Sequence, residues 1–467
     1  MSTPSWSELF RGRNAAYTLI LDLGIGLHAI DVFIIATVMP EVVADIGGVA
    51  FYTWPVMLYM VASIVGAACG GPIMAALGTR RGYAAAAVAF LIGSVGCAVA
   101  PGMAYLLIAR AVQGVGGGVI IALSMALVRE LYPANLRTRA LSTISATWGV
   151  AALLGPLVGG VFSEIGWWRG AFWAGVPVIV LFAALAWRTL PAALAAARVP
   201  AFPLRRIALL GAGVLGVALS GNVEPLPARL ALVAAALFLL GQTFRLDRGA
   251  ANRLFPTHPL SIANRVGVAY WMFFLISVTH SAIGVFMPLL VQVLHGGSAL
   301  LAGYFNTILA LAWTSGALAS SGFEGRWVRR VIVLGPVAIA CGFAGQALVV
   351  VDGSLPALAV FVALTGLGIG ICHAHIVHWT MSAARQGEEG LTASSIPTVR
   401  ILGVAFGAAL AGMVANAAGL AAGVSEATVA AAAAWVYGLF IAAPCLVVVL
   451  ALRLVWLHRA REAVAAD

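Results

Sequence analysis

The sequence has no lysine and little charge of either sign: 16 acidic residues and 26 basic ones, all arginine, leave it only 9% charged, against about 25% in an average soluble domain. That scarcity excludes a water-soluble globular fold and makes the bilayer the expected solvent. The formal charge of +10 does not indicate nucleic acid, because no basic run is interleaved with aromatics and the arginines stand in short gaps between apolar spans. Cysteine is scarce as well. Cys69, Cys97, Cys341, Cys372 and Cys445 lie inside apolar spans without metal-type spacing, which excludes a disulfide framework or zinc site and assigns them to packing. No nucleophile sits with a base and no metal cluster lies at membrane depth, so the sequence predicts no enzyme, no metal and no cofactor.

What the chain has is apolar length: 62% of its 467 residues are hydrophobic. Apolar segments fall at roughly 16–39, 51–76, 83–100, 103–128, 140–163, 167–187 and 207–221. Seven more fall at roughly 228–244, 266–292, 299–321, 331–351, 355–382, 391–418 and 427–452. The prediction is fourteen transmembrane helices, the first of them uncleaved, since no short apolar region with a small-residue cleavage site precedes it. With the N-terminus inside, all but four arginines face the cytoplasm: Arg169 and Arg229 fall outside, and Arg110 and Arg400 lie within spans. Cytoplasmic loops concentrate positive charge, so both termini and the 188–206 connection are expected on the inner side of the cell (plasma) membrane. That connection reads either as an amphipathic interfacial segment or as a plain linker.

The chain also repeats itself. VMPEVVADIGG (38–48) ends the first span and FMPLLVQVLHGG (286–297) the ninth; QGVGGG (113–118) in the fourth matches TGLGIG (365–370) in the twelfth. Such echoes mark transporters built from repeats. They divide the chain into a six-helix bundle over 1–188, a linker with inserted spans seven and eight over 189–262, and a second six-helix bundle over 263–467.

Charges inside the spans point to function, since each costs on the order of 3 kcal/mol at the bilayer centre. The first span holds Asp22 and Asp31, nine positions apart and so on opposite faces, with His28 one turn below Asp31. Nine residues separate Asp31 from Pro40 and Arg110 from Pro101. That spacing sets both about 13 Å from the outer end of their helices, at one depth. The fourth span carries Arg110 and Gln113 beside Gly114, Gly116, Gly117 and Gly118, and the fifth carries Gly155, Pro156, Gly159 and Gly160. Small residues so placed let helices approach closely, and Pro156 should bend its helix. Further candidates to line a substrate cavity, besides Asp22, are Trp148, His280, Asn306, Trp313 and Arg400, with Asn306 and Trp313 on one helical face. His373, His375 and His378 are read against metal, because only the last two share a face and no carboxylate joins them.

Together these motifs resemble the major facilitator superfamily, in particular its 14-span drug:proton antiporter branch. IDVFIIATVMPEVVADIG resembles that branch's first-helix signature, RAVQGVGGG its fourth-helix motif and GPLVGG the core of its fifth-helix motif, though Ala151 stands where a glycine is usual. The resemblance implies that Arg110 and Gln113 serve proton coupling, with Asp31 at the family's acidic position; His28, one turn toward the cytoplasm from Asp31, is placed to pass the proton inward. GPIMAALGTRR (71–81) resembles the family's cytoplasmic loop motif in Gly71, Gly78, Arg80 and Arg81, but Ala75 replaces its aspartate, leaving Glu130 as an alternative partner for the arginines.

The expectation is therefore an all-α integral membrane protein of major facilitator type, two six-helix bundles plus two inserted helices. It would exchange protons for exported amphipathic or lipophilic small molecules by rocking its bundles around a central site, as a monomer whose partners are substrate, protons and lipid. Transport of a specific metabolite or lipid, and a non-transporting receptor or scaffold, are the alternatives; buried ionisable groups argue against the scaffold.

Overall fold

The computed structural model of the protein describes residues 6–192, 203–250 and 252–466. Among these the only regular elements are helices. They are α1 (Trp6–Leu9), α2 (Gly12–Ile46), α3 (Trp54–Ala98), α4 (Met103–Leu131), α5 (Ala134–Glu164), α6 (Arg169–Thr189), α7 (Leu204–Ser220) and α8 (Leu226–Arg248). After these come α9 (Arg265–His295), α10 (Ala299–Ser320), α11 (Arg326–Val349), α12 (Leu355–Ser382), α13 (Glu389–Ala417), α14 (Glu426–Phe440) and α15 (Ala442–Ala466), with short 3₁₀ turns at Val49–Phe51 and Leu420–Ala422. A helix satisfies all its backbone polar groups within one segment, which hydrocarbon requires. Large apolar side chains such as Ile108, Leu318 and Leu348 point outward, as they would toward lipid.

Among the described residues, eleven stretches are long and apolar enough to cross a membrane. One of them contains α3, whose 45 residues would reach about 67 Å, more than twice a bilayer core of about 30 Å. Gly78 divides it: with φ 76° and ψ 171° it leaves helical geometry in a region that favours glycine. The segments at 51–76 and 83–100 thus meet at a one-residue kink. The segment at 427–452 is likewise interrupted at Ile441, between α14 and α15; Pro444 follows, and its missing N–H leaves the carbonyl four residues earlier without a helical partner.

The first span does not end at Pro40; its repeat partner in the ninth span is Pro288. Both prolines lie inside their helices, which continue to Ile46 and His295 and stop at glycines with positive φ, Gly47 (68°) and Gly296 (59°). The 188–206 connection lies mostly outside the described residues; Arg188 closes α6, and Arg205 and Arg206 open α7.

The chain forms two compact units, Met1–Gly48 with Leu58–Ile207, and Val49–Met57 with Ala208–Asp467. Within the first, α4 lies against both halves of α3. A methyl group on Gly114 or Gly118 would meet the carbonyl oxygens of Tyr59 or Ser63 at 2.4 and 2.0 Å, and one on Gly116 would meet Phe90 N at 2.5 Å. Within the second, α12 repeats this pattern: Gly366 and Gly370 approach Leu309 and Trp313 of α10, and Gly368 approaches α11. The fifth-helix motif is also duplicated. Gly155 and Gly159 of α5 abut α2 at Phe33 and Thr37, while Gly403 and Gly407 of α13 abut α9 at Phe274 and Val278. The close packing that the glycine spacing implies is therefore present in both units.

In the second unit α7 and α8 pack as a pair. Gly213 and Gly216 seat α7 on Leu240 and Ala236 of α8, and α8 leaves Leu226, Leu230, Leu237 and Phe238 exposed.

Candidate functional site

In the first unit α2 brings Asp31 against α4. Arg110 Nη1 donates to Asp31 Oδ2 and to Gln113 Oε1, both over 2.5 Å, while Gln113 Nε2 donates to Asp31 Oδ1 and to the Ser94 hydroxyl, both over 2.8 Å. Arg110 and Gln113 are fully buried and Asp31 nearly so. The Arg110 guanidinium stands 4.1 Å over the Tyr59 ring, and the Tyr59 hydroxyl lies 2.7 Å from His28 Nδ1. A chain of polar groups thus runs from Ser94 through Gln113, Asp31 and Arg110 to Tyr59 and His28. Gly117 makes room for its end, since a methyl there would fall 2.7 Å from His28 Nδ1 and 2.8 Å from the Tyr59 hydroxyl.

A buried ion pair contributes little to stability, because desolvation offsets its attraction, yet removing one partner costs about 3–5 kcal/mol. An apolar pair of the same volume would hold α2 to α4 as well. Stability alone therefore does not account for a carboxylate, a guanidinium and an amide held together at this depth.

Of the remaining first-unit candidates, only Trp148 touches this network, at His28. Asp22 accepts from the Thr143 hydroxyl of α5 over 3.1 Å. Trp148 is partly exposed and stands edge-on to His28 at 6.0 Å. In the loop motif, Arg80 Nε donates to the Leu190 carbonyl over 2.9 Å. Glu130 is exposed, and among the described residues it makes no ion pair with Arg80 or Arg81; with Arg80 directed at the end of α6, the pairing expected of Glu130 does not form. Gly71 is open, and Pro156 and Gly160 are buried in α5.

In the second unit a chain of rings connects three helices, and an arginine of a fourth stands over it. His280 of α9 and Trp313 of α10 are edge-on at 6.2 Å, Trp313 and His373 of α12 at 5.5 Å, and His373 and Phe273 of α9 at 5.4 Å. Arg400 of α13 stands 5.5 Å over the Trp313 ring. Asn306 lies elsewhere on α10, donating to the Gly284 carbonyl over 3.3 Å. Tyr59, Ser94 and His373 were not picked out as members of these clusters from sequence. Tyr59 and Ser94 belong to spans without a charge, and His373 was read only for metal; it parts from His375, which bonds to the Ser320 carbonyl over 3.0 Å.

Residues 21–408 match the family model of the Major Facilitator Superfamily. The chain belongs to that family. It is a multi-pass membrane transporter and not an enzyme. It is 31% identical over 433 residues to a probable multidrug-efflux transporter of Mycobacterium tuberculosis strain CDC 1551 / Oshkosh, an alignment covering 89% of this chain and 90% of that protein. Multidrug resistance protein 3 of Bacillus subtilis strain 168 is 26% identical over 414 residues, covering 84% and 78%. Among solved structures, the inward-open xylose transporter of E. coli superposes with a TM-score of 0.61 at 16% identity, covering 94% of both chains. A structure described under substrate recognition in proton-dependent oligopeptide transporters gives 0.66 at 15% identity, covering 96% and 100%. These two likenesses concern the fold.

Proposed function

We propose that this chain is a proton-coupled antiporter that exports amphipathic or lipophilic small molecules across the plasma membrane by alternating access. The observation that carries the reading is the buried network of Asp31, Arg110 and Gln113. In it Asp31 is the proton carrier, Arg110 and Gln113 govern when it is ionised, and His28 relays the proton through Tyr59 toward the cytoplasm. Relatives named for multidrug efflux support the export of small molecules.

The topology that goes with this function has fourteen crossings: the eleven apolar stretches with the one containing α3 counted twice, plus α7 and α10. Residues 1–188 and 263–467 form the two working bundles, 189–262 carries the linker and inserted pair, both termini are cytoplasmic, and the protein works as a monomer. Gly155, Pro156, Gly159 and Gly160 serve the conformational change through the contact of α5 with α2, together with Gly71, Gly78, Arg80, Arg81 and Glu130 at the cytoplasmic loop. Asp22, Trp148, His280, Asn306, Trp313 and Arg400 contact substrate.

The test is transport by purified protein in proteoliposomes under an imposed pH gradient. Asp31→Asn should abolish proton movement coupled to export and leave substrate binding measurable, whereas Arg110→Ala should slow turnover and alter its pH dependence. Proton coupling of wild-type strength in Asp31→Asn would sink the assignment and move the carrier to Asp22.

A further inference from the structure

The two intramembrane arginines are in opposite situations. Arg110 is held by Asp31 and Gln113. Arg400 lies in the apolar stretch Ser395–Ala417 of α13, and among the described residues no carboxylate, carbonyl or hydroxyl accepts from it; its one contact is the face of Trp313. The acids nearest along the second unit are engaged or distant. Asp247 accepts from the backbone N–H groups of Leu254 and Phe255, and Glu388 pairs with Arg253. Glu389, at the start of α13, is eleven residues and so about 16 Å away. The other titratable groups around Arg400 are His280 and His373, both within its electrostatic reach and neither able to neutralise it.

A guanidinium at membrane depth without a counter-charge is a standing demand for an anion. Arg400 presents a planar fork that fits a carboxylate or sulfonate with two parallel hydrogen bonds. Beside it, His280, Trp313, His373 and Phe273 form a continuous aromatic wall, suited to stack a flat apolar body. His280, Trp313, His373 and Arg400 are each half-buried. A cationic group placed against this wall would meet Arg400 with no acid in the cluster to offset it.

We infer that this cluster recognises organic anions with an aromatic body, Arg400 taking the acid group and Trp313 the ring. The inference rests on the reading of the protein as a small-molecule exporter and specifies the charge of what it exports.

Three probes share one ring system and differ in charge: 1-naphthylacetate, its neutral amide 1-naphthylacetamide, and cationic 1-naphthylmethylamine. Calorimetry with the full chain in nanodiscs at neutral pH should show the acid binding at least about tenfold more tightly than the amide, with the amine weakest. Arg400→Gln should remove the difference between acid and amide, and Arg400→Lys should keep most of it, separating loss of charge from loss of fold. No acid binding or no acid preference in the wild type, or a preference that survives Arg400→Gln, overturns the inference. Flux in proteoliposomes separates it from the parent reading. Proton-driven export of the amine or amide with no preference for the acid would overturn the anion site and leave proton coupling standing; tight acid binding without proton-driven flux would do the reverse.

Discussion

Gln113 donates to Asp31 over 2.8 Å while its own carbonyl accepts from Arg110 over 2.5 Å, so the amide bridges the two charges it sits between. Gln113→Leu keeps the bulk and removes both bonds. Hydrogen bonds to charged groups are worth about 1.5–3 kcal/mol, so proton-driven flux in proteoliposomes should fall about ten- to a hundredfold. Unchanged flux would remove Gln113 from the coupling machinery and leave it a packing residue.

The glycines of α4 and α5 rank themselves by what a methyl group would meet. On Gly118 it would fall 2.0 Å from the Ser63 carbonyl oxygen, on Gly155 2.4 Å from Phe33 Cβ, and on Gly149 nothing lies within 4 Å. Overpacking costs about 1–3 kcal/mol where backbone must shift. Gly118→Ala and Gly155→Ala should therefore lower the thermal midpoint of purified protein and slow transport, with Gly149→Ala like wild type. Gly155→Leu should insert in the membrane yet fail to transport. Equal behaviour of all three alanine variants would show that these contacts are not limiting.

The arginine distribution orients the loops. In a cysteine-free background, single cysteines at Gly322 and Gln386 should resist an impermeant thiol reagent applied to intact cells, whereas cysteines at Asp352 and Val424 should react. The four positions lie in successive connections of the second unit, between α10 and α11, α12 and α13, α11 and α12, and after α13. A reversed pattern overturns the orientation; a mixed one overturns the count of crossings.

Charge in the wrong solvent was legible from sequence, and packing was not. Asp31 and Arg110 stood out because each is costly in hydrocarbon, and the structure joins them. Pro40 is no measure of depth, since α2 runs six residues past it; a proline removes one hydrogen bond and does not by itself end a helix whose neighbours support it. Tyr59 and Ser94 join the network from separate halves of α3, and only the fold around Gly78 shows that both halves border α4. Arg400 and Trp313 are each legible as candidates, but their contact crosses 87 positions of chain and needs the packing of α10 and α13 to be seen.

Outside the spans, one carboxylate joins the connection after α8 to the start of α13. Glu388 pairs with Arg253 over 3.1 Å, accepts from the Thr257 backbone N–H over 3.1 Å, and accepts from the Thr257 hydroxyl. Burial acts to raise its pKa, but the Thr257 hydrogen bonds, aided by Arg253 and Arg385, outweigh burial and hold it below the ordinary 4.5. A depressed pKa means that the folded state favours the ionised form, so the stabilisation is complete above about pH 4.5 and is lost as the pH falls below that through the folded value. The anchoring of this connection should therefore weaken on acidification and not on alkalinisation toward pH 8. Hydrogen exchange of the Thr257 amide, corrected for its intrinsic rate, should speed up between pH 5 and pH 3 in the wild type. In Glu388→Gln it should already be faster at pH 5 and change little below it. A protection factor in the wild type that stays constant to pH 3 would show that Glu388 does not hold the connection.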